Sequence, residues 1–241
     1  LSYLRNVVVV DDATPFLLDR DALGDDGVPM VAVHRTPYQQ MWIQWVSLEQ
    51  LAVDLEDDLP VLRECLEVLG NIERRIFESV CRATREHGVP FVDFPDNITA
   101  PAIGERYFRG YCVPFYDELA GMLRDDDAPV FVHMDGDLKP LWEAIGGSGV
   151  RGIDSLSPPP DNDTSCADAA TRWPDMRLFV NFPSSVHLWE PEQIYSHAMA
   201  MLRQAGHTGR MQIQISENVP PGVWQKSFPV IVEAVRDFGK P

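Results

Sequence analysis

The stretch Pro129-Val-Phe-Val-His133-Met-Asp135-Gly136-Asp137 is an apolar run of strand length that stops abruptly at polar residues. A helical pattern over 138–146 follows it. Met176-Arg-Leu-Phe-Val-Asn181 repeats the arrangement. Near-continuous apolarity of this kind marks strands buried on both faces, the habit of parallel sheets. Further runs of the same kind lie at 31–34, 90–94, 150–156 and 211–216. Helical stretches are expected between them: 39–87 (as two helices), 104–124, 164–173, 191–205 and 222–238. Strands alternating with helices imply βαβ units, because parallel neighbours need a crossover. A closed barrel and an open doubly wound sheet both satisfy the pattern. Six such units and the apolar run Val7–Val10 fall short of eight, and a complete (β/α)8 barrel needs about 250 residues. The long helical stretch after residue 38 consumes length, so the first one or two units are expected to be missing.

The chain has 241 residues, 45% of them hydrophobic, enough for one large domain, which we expect to span residues 1–241. Its formal net charge of −17 opposes binding to nucleic acid or to an anionic membrane. The four cysteines form no CxxC pair, which suits a reducing compartment and a cytoplasmic location. No run is long and apolar enough to span a bilayer, and the first residues lack a signal-peptide layout. The first residue is not methionine, which points to a fragment or a processed chain.

Almost every apolar run ends in chemically capable residues. His34 and Arg35 end the first; Asp93, Asp96 and Asn97 follow the second; His133, Asp135 and Asp137 the third. Asp154, Ser155 and Ser157 follow the fourth, Asn181, Ser184 and Ser185 the fifth, Glu217 and Asn218 the sixth. In parallel α/β folds the carboxyl ends of strands converge on the substrate site. Helix capping explains any one of these residues equally well; the whole set marks a site.

Strand alternation puts His133 and Asp135 on one side, where they suit a metal, an oriented acid–base pair, or plain structural use. Pro95 extends the chain before Asp96, which either faces a substrate or closes an Asx-turn. The Pro158-Pro-Pro-Asp161 loop reads equally as a rigid site wall or a connector. His187 either reaches the same mouth or faces solvent. The Met41/Trp42/Trp45 stripe reads as core.

Four stretches resemble the uroporphyrinogen decarboxylase superfamily, which includes cobalamin-linked methyltransferases, and the resemblance runs over about residues 37–238. Phe94–Gly104 is similar to the family's aspartate loop, with Asp96 at the substrate-facing position. The aromatic-rich segment from Glu105 to Tyr116 is similar to the family helix before the next strand. Val132-His133-Met-Asp135-Gly136 stands where the methyltransferases carry His-x-Cys-Gly, and 216–222 where they place a late ligand cysteine.

The resemblance implies a TIM-like (β/α)8 barrel. It also implies methyl transfer on a small substrate, linked to a corrinoid carried by a partner protein. Asp135 and Glu217 replace the two cysteines, so the implied site is harder: His133, Asp135 and Glu217 holding zinc, manganese or iron. Asp96 and His133 are the implied catalytic pair, with Asn97, Asp154, Asn181 and Asn218 binding substrate. Two alternatives stand beside this reading. One is a metal-free decarboxylase or lyase acting on a small acid or tetrapyrrole, with Asp96 stabilising positive charge and His133 delivering a proton. The other is a barrel that binds without catalysing. An incomplete barrel would also leave strand edges for a partner chain, a second copy included, to cover.

Overall fold

The structure, a computed structural model, describes residues 1–216 and 218–239. Six strands follow one another in chain order as a parallel sheet: β1 (Val31–Ala32), β2 (Val92–Phe94), β3 (Val130–His133), β4 (Gly152–Leu156), β5 (Arg177–Phe182) and β6 (Met211–Ile215). Each expected apolar run holds its strand. Helices cover the outer face, and β1 and β6 are the sheet's edges among the described residues. This is a TIM-like barrel that lacks some of its units.

The amino-terminal helices α1 (Ser2–Arg5) and α2 (Thr14–Leu23) precede β1. The run Val7–Val10, expected as a further strand, is not one: Val8 and Val10 are 76% and 75% exposed. The segment is held from outside the barrel instead, by Arg75 donating to the Val7 carbonyl at 3.3 Å.

Between β1 and β2 run α3 (Pro37–Gln40), a π-helical turn (Met41–Trp45), α4 (Leu48–Glu56) and α5 (Pro60–His87). The 28-residue α5 starts on Pro60, whose missing N–H costs nothing there, and stops at Gly88 in the left-handed region. Its stripe Leu62, Leu69, Ile72, Phe77 and Val80 is buried. Met41 joins the core, whereas Trp42 is half-buried and Trp45 is 48% exposed, so the π turn carries that stripe off the core. After β2 come α6 (Ala100–Tyr107), kinked at Gly104 where φ is +63°, and α7 (Val113–Met122). The remaining helices are α8 (Trp142–Gly146), α9 (Cys166–Arg172), α10 (Pro191–Ala205) and α11 (Trp224–Phe238).

Both faces of the sheet are filled, as the apolar runs require. Val92, Phe94, Val130, Val132, Ile153, Leu178 and Val180 are buried against the helices. On the inner face Phe131 stacks between Phe91 and Phe179, with both ring centroids at 4.8 Å. The parallel register places Gly152 beside Phe131. A Cβ on Gly152 would lie 2.2 Å from the Phe131 ring, which its aromatic neighbours hold in place. Gly152→Ala should therefore overpack the barrel floor and cost about 1–3 kcal/mol. Urea melts of the variant check this, and unchanged stability would show that the Phe131 ring yields.

Candidate active site

Above the aromatic floor the inner face turns polar, because register brings polar residues of neighbouring strands level. His133 pairs with Asp154, and Asn181 with Gln214. A β-bulge between Ile153 and Leu156, with Ser155 at φ +64°, lets β4 bury Leu156 while keeping Asp154 and Ser155 together on the inner side.

His133 Nδ1 lies 3.0 Å from Asp154 Oδ2. Gln214 Nε2 is within donating distance of Asp154 Oδ1 at 3.2 Å, Ser155 Oγ at 3.0 Å and Asn181 Oδ1 at 3.0 Å. Asn181 Nδ2 donates to Ser157 Oγ at 3.0 Å and to the Ser155 carbonyl at 3.2 Å. On its other side His133 Nε2 is 3.7 Å from Asp135 Oδ2. The network opens into a cavity of about 240 Å³ whose walls include His133, Asp135, Asp161, Asn162, Asn181 and Asn218. The Asp161 loop is thus a site wall. Asp161 accepts from the Ser184 amide at 2.7 Å, and Asn162 Nδ2 donates to the Asp135 carbonyl at 2.8 Å.

Burial alone would depress the His133 imidazolium, but the flanking Asp135 and Asp154 outweigh it and raise it to about 10. For Asp154 burial works upward, yet the hydrogen bonds from His133 and Gln214 prevail and hold its carboxyl below the usual range. Asp93 sits level with Phe131 on the inner face, 2% exposed, with Oδ1 lacking a donor. Burial pushes its carboxyl up to about 7; the Asp154 charge adds to this and His133 opposes it.

His133, Asp135, Asp154, Asn181 and Asn218 therefore come together. Asp96 does not join them. It is fully buried and accepts from the Thr36 amide (2.9 Å), Thr36 Oγ1 (2.9 Å) and Tyr116 OH (2.6 Å). Burial lifts its carboxyl to about 6 against those three bonds. Asn97 is half-buried, and its amide donates to Gln39 Oε1 at 3.3 Å. His187 neither reaches the mouth nor faces solvent: it is buried, hydrogen-bonded to Ser227 at 2.8 Å, beside Phe182 and Phe228.

Two inner-face residues had no assigned role in the sequence reading. Asp93 appeared there only as a strand-end carboxylate. Gln214 was signalled by the alternation Met211-Gln-Ile-Gln-Ile215, which puts Gln212 and Gln214 on one side.

Of the expected metal ligands, His133 and Asp135 lie side by side, with Nε2 3.7 Å from Asp135 Oδ2, and Asp154 holds the other ring nitrogen as an orienting carboxylate would. Among the described residues no three His, Cys, Asp or Glu side chains converge on a metal position. Glu217, the expected third ligand, lies outside the described residues. No helix of the described residues is long and apolar enough to cross a membrane.

Titration of His133 tests this electrostatic picture. Unfolded, the imidazole takes its proton near 6.5; folded, near 10. The stabilisation from this proton is complete below about pH 6.5 and is lost as pH rises from there through 10. Imidazole NMR should find His133 still protonated at pH 8 and, in Asp154→Asn, titrating closer to 6.5. A wild-type midpoint near 6.5 would refute the clamp.

The family model for uroporphyrinogen decarboxylase (URO-D) matches residues 61–238, well over half of the chain. No curated protein sequence matches the chain. Among solved structures, a methyltransferase from Methanosarcina mazei superposes with a TM-score of 0.68 at 15% identity, covering 98% of this chain and 69% of that one. At that identity the likeness shows the fold. With the family model matching most of the chain and the fold in agreement, the chain belongs to the uroporphyrinogen decarboxylase family.

Proposed function

We propose that the chain is a methyl-transfer enzyme acting on a small polar substrate in the His133 cavity, with His133 as proton donor. The observation that carries this reading is the imidazolium fixed from behind by Asp154, with Nε2 on the cavity side next to Asp135. The bond between methyl carbon and substrate heteroatom breaks, and its electron pair stays on the heteroatom. His133 Nε2–H moves to that atom, while Asp154 holds the imidazole in orientation. The methyl group passes to a nucleophile from outside the chain, which family resemblance gives as a corrinoid protein. The described donor set supports no step through a metal.

The decarboxylase alternative draws on Asp93, a buried carboxyl that could face developing positive charge. One observation weighs against it: the described cavity walls carry no lysine or arginine to hold substrate carboxylates.

The reading is tested by supplying reduced cobalamin as methyl acceptor, with a panel of small N-, O- and S-methylated compounds, and following methylcobalamin formation. His133→Gln should lower turnover by about 10²–10⁴-fold, the span of positioned proton donors, with the fold retained. Full activity in His133→Gln would overturn the proton-donor role. Activity abolished by chelation and restored by zinc would overturn the metal-independent reading. Release of CO2 from an acid substrate, lost in Asp93→Asn, would establish the decarboxylase instead.

A further inference from the structure

The charge content of the same cavity selects among substrates. His133 is the one basic side chain among its described lining residues, and Asp154 compensates it directly at 3.0 Å. Asp135 and Asp161 are further lining carboxylates, so one imidazolium faces more than one negative charge: Asp135 lies 3.7 Å from His133 Nε2, and Asp161 accepts from a neutral amide and a serine hydroxyl. Asp93, outside the lining but within electrostatic reach of His133 and Asp154, is buried with an Oδ1 that has no donor. The other polar walls are neutral, including Asn162, Asn181, Ser157 and Ser216, and Pro183 supplies an apolar patch. A net charge of −17 adds a long-range field of the same sign. At about 240 Å³ the space is smaller than the roughly 300–1,000 Å³ of pockets for drug-sized ligands.

We propose that this cavity takes a small cationic substrate, an amine or quaternary ammonium compound, with the positive charge set between Asp135 and Asp161. The inference rests on the methyl-transfer reading for its chemistry, though not for its binding. A methylated ammonium that gives up its methyl group leaves as a neutral amine. The freed lone pair then takes the His133 proton, so substrate and product are both cations that the two carboxylates accommodate. An anionic substrate would meet two carboxylates with no arginine or lysine at hand.

The test measures affinity alone, by calorimetry on chelator-treated protein at low salt, so it does not depend on turnover. The probes are choline, its neutral carbon isostere 3,3-dimethylbutan-1-ol, and the anion 3,3-dimethylbutanoate. Choline is expected to bind at least about tenfold more tightly than the isostere, which corresponds to about 1.4 kcal/mol, and butanoate to bind least. The preference should shrink with added salt and fall to about threefold or less in Asp161→Asn, whose amide oxygen still accepts from Ser184. Equal affinity for choline and the isostere overturns the inference and leaves the methyl-transfer reading to its own assay. Tighter binding of the anion overturns it too. So does displacement of choline by micromolar zinc, which would mark the carboxylates as metal ligands.

Discussion

A protonated imidazole on the inner wall of a barrel is stable there only if its charge is answered close by, and Asp154 answers it across one strand spacing. That contact depends on register. Only in the pairing that sets His133 against Asp154 do the two side chains meet, and a slip of one residue would turn every inner side chain outward. The register is fixed lower down, where Gly152 leaves room for the Phe131 ring and Phe91 and Phe179 close on it from either side. The aromatic floor thus determines the height of the polar layer, and the bulge at Ser155 brings Gln214 within reach of Asp154, Ser155 and Asn181 at once. With its acceptor oxygens engaged, Asp154 is held as an anion, which keeps the imidazole charged.

The other buried acids show what the same barrel does with carboxyls that lack a cation. Asp96 is answered by three hydrogen bonds and joins the Thr36 loop to Tyr116 of α7, a structural tie at the edge of the mouth. Glu73 on α5 is fully buried, and burial together with the Asp96 charge pushes its carboxyl well above the usual range against the His34 backbone amide. Asp93 lies between these cases. All three bind protons more tightly folded than unfolded, so the stability tied to those protons is complete below their unfolded range and declines as pH rises through the folded values. They act in the same direction as His133, whereas Asp154 and the buried His187, both held below their usual values, act in the opposite one.

Much of the fold was legible because its signals are local. Six apolar runs bounded by polar turns coincide with six strands, and the capping and turn chemistry around Pro60, Gly88 and Ser165 marks helix ends. The run Val7–Val10 misled because apolar composition alone does not make a strand: the run lies outside the sheet with Val8 and Val10 exposed, although β1 leaves an edge free among the described residues. The site was half legible. Strand ends identified His133, Asp135, Asp154, Asn181 and Asn218, but whether an aspartate faces a cavity or a hydroxyl is decided by residues far away in the chain. Asp96 has partners 60 and 20 positions distant, and no pattern around Phe94-Pro-Asp96 announces Tyr116. For Gln214 the alternation over 211–215 gives the side it faces, but a neutral amide inside a strand carries no chemical signal until its acceptors are seen.

Asp135 stands where the resemblance places a cysteine, and its carboxylate lies 3.7 Å from His133 Nε2. The surrounding backbone makes this arrangement rigid. Gly136 packs so closely on Thr99 that a Cβ there would come within 2.2 Å of that side chain. Ile98 and Gly136 are bonded through their backbones, and the Ala100 amide donates to the Asp137 carbonyl at 2.8 Å. Asp163 in turn accepts from the Leu138 amide at 2.8 Å. The loops after β2, β3 and β4 are thus locked to one another, and Asp135 is presented to His133 by a fixed frame.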